Sequence, residues 1–170
     1  IVGSVNVYKR QVSGGLPTMI SPYIDGSKNV SQYNASTSKE NVVTLESHER
    51  EWDAIFAGIQ GAVDIVAFQD GHVEYDELVD FLKVNKKLAD RYGLECWTNS
   101  ETFDRDMPIK FLPIKWEKFL FKLDAARRAG MQNVITFEFS HFMSPNSSYT
   151  QAGHLYNRYM EYMNYLQHKK

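Results

Sequence analysis

The sequence predicts an α/β fold built from parallel βα units. Four short apolar runs with strand-like length and composition recur along the chain, at 17–23, 63–69, 94–99 and 133–139. Longer segments with apolar residues three and four apart lie between them. Gly61, Gly93 and Gly130 each follow such a segment and precede a strand, where a helix C-terminus favours a left-handed residue. The order is a leading helix, then strand and helix four times. That alternation implies parallel strands joined by right-handed crossovers. Two architectures fit. One is a small open doubly wound sheet. The other is part of a (β/α)8 barrel, in which ~250 residues form eight units and four units are about half.

Each element has its own signal. Ser4 to Ser13 is a weak opening helix that ends at Gly14-Gly15. Pro17 to Tyr23 is the first strand. Residues 26–46 are rich in Ser, Asn, Lys and Thr and form a long polar loop after it, of the kind that covers a site. Asn29, Asn34 and Asn146 stand in N-x-Ser triplets that polar loop composition explains. Trp52, Ile55, Phe56 and Ile59 mark the next helix, and Val63 to Gln69 the second strand. Leu78, Phe81, Leu82, Leu88 and Ala89 mark the following helix, then Leu94 to Asn99 a strand. Trp116, Phe119, Leu120 and Leu123 give one more helix before the strand Asn133 to Phe139. Gln151 to Lys170 closes the chain as an amphipathic helix carrying Leu155, Tyr159, Met163 and Leu166.

Composition narrows the function. The 170 residues are 43% hydrophobic, enough for one core and a single domain spanning 1–170. No apolar run approaches the ~20 residues of a membrane span. A net charge of −2 and a pI near 6.2 argue against nucleic acid or an anionic membrane as main partner. One cysteine, Cys96, excludes a disulfide framework and a multi-cysteine zinc site. There is no G-x-G-x-x-G, no Walker loop, no G-x-S-x-G and no His-x-x-x-His. The chain starts Ile1-Val2-Gly3, which reads as a mature end, a boundary or a fragment.

Strand alternation sorts the remaining side chains. Ser21, Tyr23 and Asp25 share one face of the first strand, opposite Ile20, Pro22 and Ile24. Ile65, Ala67 and Gln69 oppose Val66 and Phe68, and Asp70-Gly71 opens the next loop. Trp97, Asn99 and Glu101 oppose Cys96 and Thr98, which makes Cys96 a core thiol. Thr136, Glu138 and Ser140 oppose Ile135, Phe137 and Phe139. Polar groups therefore gather toward the strand carboxyl ends, where parallel α/β folds bind their ligands. Tyr23, Asp25, Gln69, Trp97, Asn99 and His141 suit hydrogen bonding and stacking on a polyol. Glu101, Glu138 and Asp70 are candidates for acid/base or nucleophilic work. Each has a structural alternative. Asp25 and Asp70 precede glycines, as turn residues do. Glu101 can cap the next segment or pair with Arg105, and Glu138 can be a satisfied structural carboxylate. No metal ligand set stands out. Asp25, Asp70, Glu101 and Glu138 leave a divalent cation open as an oxygen-bound option.

Four collinear motifs carry a resemblance. They are Ile20–Gly26 (ISPYIDG), Val66–Gly71 (VAFQDG), Trp97–Phe103 (WTNSETF) and Thr136–Pro145 (TFEFSHFMSP). Together, from about Tyr8 to Pro145, they resemble a glycoside-hydrolase-like TIM-barrel family of unknown function common in gut Bacteroidetes. The resemblance implies that this chain is the C-terminal half of the barrel, with four strands and five helices. Ile1 then marks a cut, and the first four strands precede it. It implies that Glu101 ends strand seven as candidate nucleophile, with its acid partner upstream; since the reaction needs two carboxyl groups, Glu138 and Asp70 are the companions open to it within this chain. The implied ligand is a carbohydrate, without cofactor, and the implied location is secreted, periplasmic or cell-surface. A non-catalytic carbohydrate-binding barrel is the competing reading. A half-barrel has two unpaired edge strands, so a second copy or the missing half is the expected partner.

Overall fold

A computed structural model describes residues 13–26, 43–105 and 111–169. Most of the expected opening helix, most of the polar loop with Asn29 and Asn34, and residues 106–110 lie outside them. The described elements are α/β. Strands β1 (Met19–Ile20), β2 (Tyr23–Asp25), β3 (Ile65–His72), β4 (Glu95–Glu101) and β7 (Val134–Phe137) form one sheet. Its order is β1-β3-β4-β7, with β2 also on β3. The β1, β2 and β4 pairings with β3 are all parallel. The amides of Thr98 and Thr102 donate to the carbonyls of Asn133 and Phe137, an equal advance on both strands that makes β7 parallel too. Helices α1 (Leu45–Ile59), α2 (Leu78–Arg91), α3 (Trp116–Arg128), α4 (Phe139–Phe142) and α5 (Thr150–Gln167) complete it, with a short antiparallel pair β5 (Phe103–Asp104) and β6 (Leu112–Pro113). Both a partial barrel and a doubly wound sheet contain this succession of parallel βα units.

The chain divides into two compact units. The first comprises Ile1–Asn99 and Ala125–Ile135, and the second Ser100–Asp124 and Thr136–Lys170. In the first unit, strand parity is realised as read. Ile24, Val66, Phe68 and Cys96 join Phe56, Phe81, Leu82 and Leu88 in a single apolar cluster between sheet and helices. Trp52 and Phe56 meet Phe68 edge-on at centroid distances of 4.7 and 6.2 Å. Thr44 caps α1 by accepting the Ser47 amide, while the Ser47 hydroxyl accepts the Thr44 amide in return. Gly61, Gly93 and Gly130 have φ of 77°, 69° and 81°, the left-handed turn that ends each preceding helix without a Cβ penalty. The second unit has its own cluster of Ile114, Phe119, Met143 and Leu155, with Trp116, Leu123 and Tyr159 against it.

Three boundaries differ from the sequence reading. The first apolar run forms two strands rather than one. Pro22 lacks an amide hydrogen and interrupts the ladder, and the Ser21 hydroxyl donates instead to the Ala67 carbonyl at 2.8 Å. The second strand does not stop before Asp70-Gly71 but runs on to His72. The last strand ends at Phe137. Glu138 is therefore not mid-strand but the N-cap of α4, and 139–142 are helical. Among the described residues no helix is long and apolar enough to cross a membrane.

Candidate functional site

The first unit presents a polar row across three strands. Tyr23 is in register with Gln69, and Gln69 with Asn99. All three lie on the face opposite the apolar cluster: Tyr23 opens β2, Gln69 lies three residues before the end of β3 and Asn99 two before the end of β4. Ser21 ties them together. Its hydroxyl accepts from Asn99 Nδ2 at 3.0 Å, and its carbonyl accepts from Gln69 Nε2 at 2.6 Å. Asn99 is buried, and its Oδ1 has no hydrogen-bond donor. A buried acceptor left unsatisfied costs about 1–3 kcal/mol.

Above this row β3 is bulged. Two residues of β2 separate the Tyr23↔Gln69 and Asp25↔His72 pairs, against three of β3. The extra residue shifts the alternation and brings His72 to the side of Tyr23 and Asp25. The two rings stack with centroids 4.1 Å apart and 3° between planes. His72 Nδ1 lies 3.0 Å from Asp25 Oδ1. The carboxylate accepts, so Nδ1 carries the proton. His72 is only 7% exposed, whereas the Asp25 side chain is 64% exposed and Tyr23 37% exposed. Gly26 locks the corner. Its amide donates to the His72 carbonyl at 3.1 Å, and a Cβ there would lie 2.4 Å from Glu77 Oε1 and 3.1 Å from the Val73 Cα.

The other candidates of this unit stand apart from that row in character. Trp97 is half-buried, and its indole N–H donates to Glu95 Oε2 at 3.0 Å, toward the start of β4. Asp70 is buried near the end of β3. Cys96 is buried, and desolvation pushes its thiol up to about 12. His48 on α1 is buried beside Phe68 and Phe81 and hydrogen-bonds Asn85 Oδ1 through Nε2 at 2.6 Å. Burial holds it below the ordinary histidine value, and the Asn85 bond offsets this only in part.

In the second unit Glu101 ends β4 and is 1% exposed. Arg105 grips it as a fork, Nε to Oε2 at 2.7 Å and Nη2 to Oε1 at 2.5 Å. The pairing that the sequence left open is thus formed. The guanidinium lies 5.1 Å from the Phe103 ring centroid and 5.7 Å from that of Phe111. Buried Lys122 donates to the Glu101 carbonyl at 3.1 Å, and Lys118 to Asp104 Oδ2 at 2.5 Å. Glu138 accepts the His141 amide at 2.9 Å and also contacts His141 Nδ1. This pair is a helix cap with an exposed histidine.

Sequence reasoning therefore missed two contributors. His72 escaped because alternation without the bulge puts it with the core. Lys122 escaped because its position on α3 reads as solvent-facing. Among the described residues, no three His, Cys, Asp or Glu side chains gather as a metal site.

A family model described as a domain of unknown function, DUF4434, matches residues 2–149. The chain belongs to the DUF4434 family. The fold also matches a crystal structure from Bacteroides thetaiotaomicron VPI-5482, described as that of a "putative alpha-L-fucosidase". The two are 55% identical with a TM-score of 0.84, over 96% of this chain and 49% of the other. The chain thus spans about half the length of that solved relative. No curated protein matches it.

Proposed function

We propose that this DUF4434 chain recognises a carbohydrate at the carboxyl ends of its parallel strands, as part of a glycoside-hydrolase-like protein. One observation carries the reading. Tyr23, Gln69 and Asn99 lie in register across three strands, with an unsatisfied buried acceptor on Asn99 and a carboxylate on Asp25 beside an aromatic face. Sugars need that combination of a flat apolar surface and convergent hydrogen-bonding groups. The solved relative's description makes an α-L-fucoside the first ligand class to try. A secreted, periplasmic or surface location accords with that substrate class.

Glu101 is the carboxylate proposed for the reaction, as nucleophile or stabiliser of positive charge at the anomeric carbon. Glu138 and Asp70 are its proposed companions; retention in general needs about 5–5.5 Å between the two carboxyl groups, and inversion ~6.5–9.5 Å. Trp97 and His141 are proposed as further sugar contacts. Arg105 occupies both Glu101 oxygens, so attack by Glu101 requires one of them to be released. That same observation favours a second reading, a glycan-binding module without turnover. A glycan array run beside a reducing-sugar assay separates the two. Binding with release, abolished by Glu101→Gln while binding persists, supports hydrolysis. Binding without release supports the module. Neither binding nor release across fucosylated and other glycans would overturn both.

A further inference from the structure

We infer that His72 is a positioning residue of this site, setting both the Tyr23 ring and the Asp25 carboxylate that meet the sugar. The inference rests on the carbohydrate reading above. Tyr23 and Asp25 come from a three-residue strand and carry 37% and 64% exposure, and one residue of β3, His72, touches both. Its ring lies flat beneath Tyr23, 4.1 Å between centroids and 3° between planes. Its Nδ1–H donates to Asp25 Oδ1 at 3.0 Å. One buried imidazole thus holds the stacking face and the carboxylate in a constant relation. Its own placement comes from the β3 bulge and from the Gly26 amide on its carbonyl. Preorganisation of this kind lowers the ordering cost on binding, because groups already held in their bound relation lose less freedom when the sugar arrives.

The two contacts separate by substitution. His72→Phe keeps a flat ring under Tyr23 and loses the donor. His72→Gln keeps a donor that reaches toward Asp25 and loses the ring. Asp25→Ala, at an exposed side chain, removes the hydrogen bond from the other side without touching the core.

The test is calorimetric titration of the full chain with methyl α-L-fucoside and a panel of neutral methyl glycosides. Side-chain ¹⁵N spectra of the histidines are recorded alongside. The wild-type chain binds one of these sugars, and each His72 variant weakens that affinity about tenfold, the loss of one ordered polar or stacking contact. In Asp25→Ala the His72 nitrogen resonances move away from the Nδ1–H pattern, a signature that simple loss of packing does not produce. If the wild type binds and Tyr23→Ala weakens binding, but both His72 variants bind as wild type, the assignment of His72 fails while the carbohydrate reading stands. If the wild type binds none of the sugars, the carbohydrate reading falls and the role of His72 in it falls too. If His72→Phe and His72→Gln do not fold, Asp25→Ala decides. Unchanged His72 resonances in that variant overturn the inference.

Discussion

Gly26→Ala probes the corner on which the site depends. A Cβ at this position would meet Glu77 Oε1 at 2.4 Å, the His72 carbonyl at 3.1 Å and the Val73 Cα at 3.1 Å. The Glu77 carboxylate can swing away, but its Oε1 accepts the Glu74 amide at 3.1 Å, and losing that bond costs about 1 kcal/mol. The two backbone contacts cannot swing. They yield only if the ends of β2 and β3 part by a few tenths of an ångström, at about 1–3 kcal/mol for overpacking. The sum is about 2–4 kcal/mol, or roughly 5–15 °C in melting temperature for a chain of this size. Thermal unfolding followed by far-UV circular dichroism measures it. Gly58→Ala is the control. It lies within α1 with nothing within 4 Å of a new Cβ, so it should stabilise by about 1 kcal/mol through helix propensity. If Gly26→Ala melts with the wild type, the close approach of β2 to β3 is not as described and the basis for the Asp25–His72 pairing goes with it.

Other outcomes follow from the buried polar groups. His48 has a folded-state value below its unfolded 6.5, so below about pH 6.5 the unfolded chain takes up a proton that the native chain resists. Stability is therefore full above that pH and falls as pH drops through it, and His48→Phe should flatten this part of the urea-midpoint profile. The Cys96 thiol, raised to about 12 and buried, should not react with a thiol reagent at pH 8 until the chain is unfolded. Arg105→Ala leaves Glu101 buried without its fork and should destabilise by about 3–5 kcal/mol, whereas replacing both residues with apolar ones should cost much less. Chemical denaturation of the single and double variants checks that difference.

The parallel α/β class was legible because its signals are local and redundant. Period-two runs, period-three-and-four runs and C-terminal glycines all repeat, and alternation alone put Ile24, Val66, Phe68 and Cys96 on the core side. It also put Ser21, Tyr23, Asp25, Gln69 and Asn99 on the other. What alternation could not carry was any break in its own period. The bulge before His72 shifts the count by one, and nothing in Gln69-Asp-Gly-His72 distinguishes a bulge from a turn. Pro22 splits a strand that reads as continuous. Phe137-Glu-Phe139 alternates like a strand, yet Glu138 accepts the His141 amide and starts a helix. A capping bond between residues three apart leaves the hydrophobic pattern unchanged, so the carboxylate looks buried in a strand until the coordinates place it. Glu101 and Arg105 were legible as a possible pair four residues apart, but the depth of their burial belongs to tertiary packing.

In the proposed function the row of Tyr23, Gln69 and Asn99 takes a sugar. Titrating the ¹⁵N-labelled chain with methyl α-L-fucoside and a glycan panel, while following the side-chain amides of Gln69 and Asn99, tests it most directly. A sugar seated on this row gives saturable shifts of both amides, and Tyr23→Ala abolishes them. Saturable binding that leaves both amides unmoved, or no binding by any glycan of the panel, would contradict it.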